Sequence, residues 1–189
     1  MTTPPSPPRY TRGSIVEISS QDEGFKGSYY VATIVARLSP ESYTVQYATL
    51  LDDDPLDPNP LREVVSPSDI RPAPPVVDIP DGFVVGDQVE ANDNDGWWAG
   101  TVIERRMDDS YFVRFEESRT ELWYERGRLR AHLEWVEGKW VRPPRKPVAA
   151  KVKREVVVDW VEVEVVEEVP AKRTVGRPKG TKRNKSCAG

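Results

Sequence analysis

FKGSYYVATIV, residues 25–35, sets a glycine turn and three aromatic residues at the head of a run rich in β-branched side chains. Such a run reads as a strand. Sliding the chain on itself by 68 residues brings this stretch onto a second copy. Tyr29-Tyr30 then falls on Trp97-Trp98, Thr33 on Thr101, and SYTVQY (42–47) on SYFVRF (110–115). Upstream, GSIVE (13–17) meets GDQVE (86–90) at a shift of 73, so the first loop is five residues longer in copy one. Downstream, DIRP (69–72) meets RLRA (128–131) at a shift of 59. The extra length there sits in LLDDDPLDPNP (50–60), which proline and aspartate mark as a loop. Matches in strand-like segments with length changes in loops are the signature of a duplicated small domain.

Each copy reads as short strands. Copy one gives Ile15–Ser19, 29–37, 43–48 and 63–65, and copy two gives 88–91, 97–105, 111–116 and 121–124. No segment carries helical periodicity. Four or five short strands in so few residues predict an all-β fold of two small, strongly bent barrels, since closure removes exposed sheet edges. Domains this small bury little core, so the copies are expected to pack together. The proline-rich RPAPPVVDIPDG (71–82) would hold their geometry. The expected division is a disordered 1–9, a first domain at 10–73, a linker at 74–82, a second domain at 83–143, and a mostly disordered tail at 144–189. HLEWVEGKWVRPP (132–144) reads as a hairpin whose tryptophans, Trp135 and Trp140, cap the second barrel or seal the seam. EVVVDWVEVEVVEEV (155–169) alternates apolar and acidic residues and is expected to be disordered or to add to a partner's sheet edge.

Composition excludes several functions. The 189 residues hold one cysteine, Cys187, and one histidine, His132, so neither a cysteine-based metal site nor a histidine-cysteine centre has its parts. His132 is expected to be packed or exposed without a chemical role. GRPKG lacks the strand and helix of a phosphate loop. No enzyme activity, cofactor, metal or small-molecule substrate is expected. No apolar run reaches the roughly 18 residues of a membrane span, and the first ten residues do not read as a signal peptide, so an intracellular setting is the expectation. Seven of the 27 basic residues lie in 171–189 with no acid among them, leaving 20 basic against 31 acidic residues before that point. An acidic body attracts basic partners, and a basic tail attracts phosphates.

RGSIVEISSQDEGFKGSYYVATIVA (12–36), GDQVEANDNDGWWAGTVIE (86–104), SYFVRF and LRAHLEWVEGKW (129–140) resemble the tandem Agenet domains of plant chromatin proteins. Agenet domains belong to the Tudor-like Royal group of small β barrels. The resemblance covers roughly residues 10–143. It implies a nuclear reader of histone tails with methylated lysine as the usual ligand; some relatives read histone H3 dimethylated at its ninth position. A methylated ammonium keeps its charge but loses donors, so aromatic faces grip it through cation–π attraction, with a carboxylate for any remaining N–H. In copy one the candidate cage is Phe25, Tyr30 and Tyr47 with Asp22 and Glu23. Strand alternation sends one of Tyr29 and Tyr30 inward and the other outward; Tyr30 is taken as the exposed ring. The second choice is Tyr29, Trp97, Trp98 and Phe115, with Asp93 and Asp95. The shorter loop of copy two has no counterpart of Phe25, so copy one is the expected reader. Trp123, Tyr124, Trp135 and Trp140 read as structural. The acidic loops LDDDPLD (51–57) and ANDNDG (91–96) are read as solvated, with docking of a basic tail as a second use.

The motif at 174–183 resembles an AT-hook. Gly176-Arg177-Pro178 would lie in a narrow A·T minor groove, while Lys179, Lys182 and Arg183 reach flanking phosphates. The arginine usual before the glycine is Val175 here. Nuclear import is a compatible use of the same cluster. The alternative function is RNA binding or a protein scaffold through Tudor-like domains without methyl-lysine recognition.

Overall fold

A computed structural model describes residues 10–148. The motif at 174–183 and the alternating segment at 155–169 lie outside the described residues.

In copy one, β1 (Ile15–Ser19), β2 (Ser28–Ser39), β3 (Ser42–Leu51), β4 (Pro60–Val65) and β5 (Ile70–Pro72) follow one another, with a single 3-10 turn, Pro67–Asp69, before β5. Copy two repeats this as β6 (Gln88–Asp93), β7 (Gly96–Arg105), β8 (Ser110–Phe115), β9 (Thr120–Glu125), the 3-10 turn Arg126–Arg128 and β10 (Leu129–Ala131). Each copy is an antiparallel sheet, in the order β5-β1-β2-β3-β4 and β10-β6-β7-β8-β9. Bulges at Ile34/Ala36 in β2 and Val102/Glu104 in β7 bend the long strands. The all-β, twin-barrel expectation therefore holds. The sequence missed β5 and β10, three-residue strands that are too short to show a period.

Alternation fills each barrel. Val16, Ile18, Ala32, Ile34, Tyr43 and Val45 make the first core; Val89, Ala91, Val102, Tyr111, Val113 and Leu129 make the second. β1 and β6 are buried on both faces, because the residue between the inward pairs, Glu17 or Glu90, points at the other barrel.

The barrels join edge to edge. β2 pairs antiparallel with β7, Tyr29 opposite Trp97 and Ser28 opposite Trp98, giving one continuous ten-stranded sheet. Repeat-equivalent residues thus face each other across a local pseudo-two-fold axis. The β6–β7 connection is a two-residue turn with left-handed Asn94 (φ 43°) and Asp95 (φ 62°), where copy one spends the longer loop at residues 20–27. A separate hairpin, β11 (Glu134–Val136) and β12 (Lys139–Val141), pairs Trp135 with Trp140. It turns through left-handed Glu137 (φ 49°) and Gly138 (φ 79°), as the sequence predicts. After it the chain ties back onto copy two through Lys146 N–H to Gly86 O (2.9 Å) and Arg145 to Asp87 (2.7 Å).

Candidate functional site

The seam is built from charge. Glu17 and Glu90, each 1% exposed, are repeat equivalents, and so are Arg71 and Arg130. The Arg71 guanidinium reaches Glu17 Oε2 at 2.6 Å and Glu90 Oε1 at 2.9 Å, and donates to Leu133 O at 3.0 Å. Arg130 reaches Glu17 Oε1 at 2.8 Å and Glu90 Oε2 at 2.5 Å. His132, buried, lies with Nδ1 2.7 Å from Glu90 Oε1. Arg71 also stacks 3.2 Å over the Tyr29 ring, and Arg130 4.0 Å over Trp97, so each guanidinium covers the aromatic of its own copy. Trp140 stands 5.4 Å from Arg71, placing the terminal hairpin at the seam. Arg71, placed at the end of the first domain and given no role from sequence, belongs to β5 and holds the middle of this network. Sequence carried one signal for it: a glutamate and an arginine recur at matched positions inside strands that should be apolar.

The expected cage residues fall into two groups: Tyr29, Trp98 and Phe115 line one pocket of about 240 Å³ shared by both copies, and Asp22, Tyr30 and Tyr47 line another. Tyr29 and Trp97 do hold cations, but these are the chain's own arginines. Tyr30 was taken as the exposed ring; it is 3% exposed and lies in the core of copy one, while Tyr29 is the half-buried one. The reason is the neighbouring barrel: Trp98 meets Tyr30 edge-on at 6.4 Å and packs against Phe25 at 6.3 Å. Phe25 is consequently buried rather than an open wall. Glu23 is exposed in the loop and does not line the pocket that Tyr30 and Tyr47 share. In copy two, Phe115 is buried in the core and Trp98 bridges both cores. Asp93 accepts from Trp98 Nε1–H (2.8 Å) through its carbonyl and from the Tyr124 hydroxyl (2.7 Å) through its carboxylate, and Asp95 accepts from the Thr49 hydroxyl at 2.7 Å. Trp123 stacks on Phe112 at 4.8 Å, and Arg106 lies over the Trp123 ring at 3.7 Å.

Tyr30, Tyr47 and Asp22 do come together. They line a pocket of about 410 Å³ at the mouth of barrel one, with Glu63 and Asp69, which sequence reasoning did not select. The two rings stand nearly perpendicular (88°) with centroids 6.3 Å apart. They keep 3% and 5% of their surface, so each offers the pocket only a small part of itself. The Tyr47 hydroxyl donates to Glu63 Oε2 at 2.7 Å. Burial first, then that bond and the Glu63 charge, hold the Tyr47 phenol far above its ordinary pKa, so it stays a neutral donor. Burial likewise raises the Tyr30 phenol. The pocket therefore joins two aromatic walls to three carboxylates. Copy two lacks this set, because Phe115 replaces Tyr47 and Leu122 takes the register position of Glu63.

Two bent barrels fused edge to edge, one with an acidic, aromatic-walled mouth, define a binding module of the Tudor-like class. An Agenet domain model matches residues 13–75 and again 86–147, and the chain belongs to the Agenet family. It is 36% identical over 149 residues to the Arabidopsis thaliana protein AGENET DOMAIN (AGD)-CONTAINING P1, across 79% of this chain and 28% of that protein. It is 36% identical over 140 residues to Arabidopsis DUF724 domain-containing protein 3, across 71% of this chain and 20% of that one. The chain thus spans between 20% and 28% of the length of these two curated relatives. Among solved structures, Arabidopsis AGDP1 AGD34 superposes with a TM-score of 0.64 at 36% identity, covering 70% of this chain and 89% of that one. The tandem Agenet domain 3-4 of ADCP1 superposes at 0.62 and 33% identity, covering 71% and 88%. Agenet domains are protein- and peptide-binding modules.

Proposed function

We propose that the chain is a nuclear chromatin reader whose first barrel captures a methylated lysine of a histone tail, with H3 dimethylated at its ninth position as the first ligand to test. One observation carries this: perpendicular Tyr30 and Tyr47 share a pocket with Asp22, Glu63 and Asp69. Aromatic walls favour a large, soft cation over a compact, strongly hydrated ammonium, and each contact contributes roughly 0.5–2 kcal/mol. A carboxylate accepts the N–H that a dimethylated lysine retains. The rings keep little exposed surface, and Ser20, Gln21 and Asp22 of the loop at residues 20–27 line the pocket beside them. That loop carries left-handed glycines at Gly24 (φ 85°) and Gly27 (φ 77°).

Titration of methylated and unmodified H3 peptides tests the reading. The dimethylated peptide is expected to bind about tenfold more tightly, and Tyr47→Ala is expected to remove that preference. Equal affinity of the native chain for both peptides defeats the proposal. For the tail, the proposal adds auxiliary binding of A·T-rich DNA through Gly176-Arg177-Pro178, flanked by Lys179, Lys182 and Arg183. Arg177→Ala is expected to erase the preference for A·T-rich over G·C-rich duplexes, while the remaining cations keep a salt-sensitive, sequence-blind affinity. Fluorescence anisotropy at two salt concentrations measures both, and an unchanged A·T preference in Arg177→Ala refutes the hook.

A further inference from the structure

The first barrel's pocket is backed by residues of the second. Gly96 is buried against Tyr30: a Cβ placed there would lie 2.9 Å from Tyr30 Cε1 and 3.1 Å from Cδ1. Trp98, two residues on along β7, closes the same ring edge-on. The β6–β7 turn that delivers Gly96 is fastened to barrel one by the Thr49 hydroxyl, which donates to Asp95 O. Thr49 lies in β3, two residues beyond Tyr47. The turn thus touches the strands that carry both walls.

We infer that the second barrel is a working part of the first barrel's site: Gly96 and Trp98 are positioning residues that fix the Tyr30 wall, and the pocket is incomplete in an isolated first barrel. The inference rests on the methyl-lysine reading of that pocket. It differs from ordinary interface packing in one respect. The contact falls on a ring that also lines the ligand pocket, while Gly96 and Trp98 do not line it, so a change in copy two alters selectivity in copy one without touching the ligand. Gly96 has no left-handed φ, so alanine there meets no left-handed strain; its Cβ presses first on the Tyr30 ring and next on Tyr29 O at 3.3 Å, in the same strand. Gly127, where an added Cβ meets nothing within 4 Å, is the matched control.

The test titrates the ninth-position dimethylated H3 peptide and its unmodified form into the full chain and into Gly96→Ala, Thr49→Val and Gly127→Ala. The methylated-to-unmodified affinity ratio is expected to fall about tenfold in Gly96→Ala and roughly threefold in Thr49→Val, and to stay unchanged in Gly127→Ala. A native ratio in Gly96→Ala overturns the inference and leaves the reading standing. Equal loss of affinity for both peptides marks general destabilisation and also overturns it. If the native chain has no methyl preference, the reading fails, and the inference is decided by the Tyr30 ring resonances in NMR spectra. They are expected to shift in Gly96→Ala and not in Gly127→Ala; unmoved resonances overturn it.

Discussion

Arg71→Ala is expected to lower unfolding free energy by about 3–5 kcal/mol, the largest single effect in the chain. The loss does not come from one favourable bond. It comes from leaving Glu17 and Glu90, each 1% exposed, short of a compensating cation. Arg130 remains, but its side chain is 25% exposed and already engaged with both carboxylates. Replacing Arg71 and Arg130 by Met and both glutamates by Gln is expected to recover most of the stability, since no charge of the four-residue network is then left uncompensated. Acid supplies a second check. Burial pushes the Glu90 carboxyl up, but the His132 hydrogen bond and the Arg71 and Arg130 charges outweigh it and hold the group below its ordinary 4.5. A depressed carboxyl contributes its stability in full above pH 4.5 and loses it as pH falls through the folded-state value. The native chain should therefore weaken on acidification, while Arg71→Ala, with Glu90 less depressed, should lose less. The gap between the two narrows as pH falls below 4.5. Urea denaturation across that range reads both, and a gap that widens with acid contradicts the assignment.

Trp98→Ala is expected to cost about 3 kcal/mol and to loosen the coupling between barrels. The indole packs on both hydrophobic cores and touches Phe25 and Tyr30 in the other copy. Each barrel alone is marginal, so the shared ring makes their unfolding one event. The native chain should give one sharp urea transition; the variant should give a broader one with a smaller slope. Trp98→Phe keeps most of the packing and forfeits the hydrogen bond to Asp93 O, a loss of about 1 kcal/mol. A variant whose transition keeps the native slope would show that the barrels are coupled by strand pairing alone.

The strands and the duplication were legible because alternation and turn residues are local signals. β1 matches the expected span residue for residue, and β2, β3 and β7 differ only by extension at their ends. The terminal hairpin was legible from Glu137-Gly138 between two tryptophans. The facing of Tyr29 and Tyr30 was not. Alternation separates the pair, but which side is core depends on β7 lying alongside β2, a contact set by residues 68 positions away. Arg71 was lost for a related reason. Prolines flank it on the far side, its strand has three residues, and its partners are contributed by β1 and β6. Of the pocket, Tyr47 and Asp22 could be proposed from the strand end and the loop. Glu63 and Asp69 enter it only through the pairing of β3 with β4 and the 3-10 turn that follows.

The antiparallel meeting of β2 with β7 has a consequence for how such a chain could arise. Because equivalent residues face one another there, the same contact is open to two separate copies of a single barrel, as a symmetric homodimer. Joining the two end to end frees each half from having to serve both roles. Tyr29 against Trp97, Tyr47 against Phe115 and Ala73 against His132 are the marks of that freedom. One half keeps the acidic mouth, and the other has become its buttress.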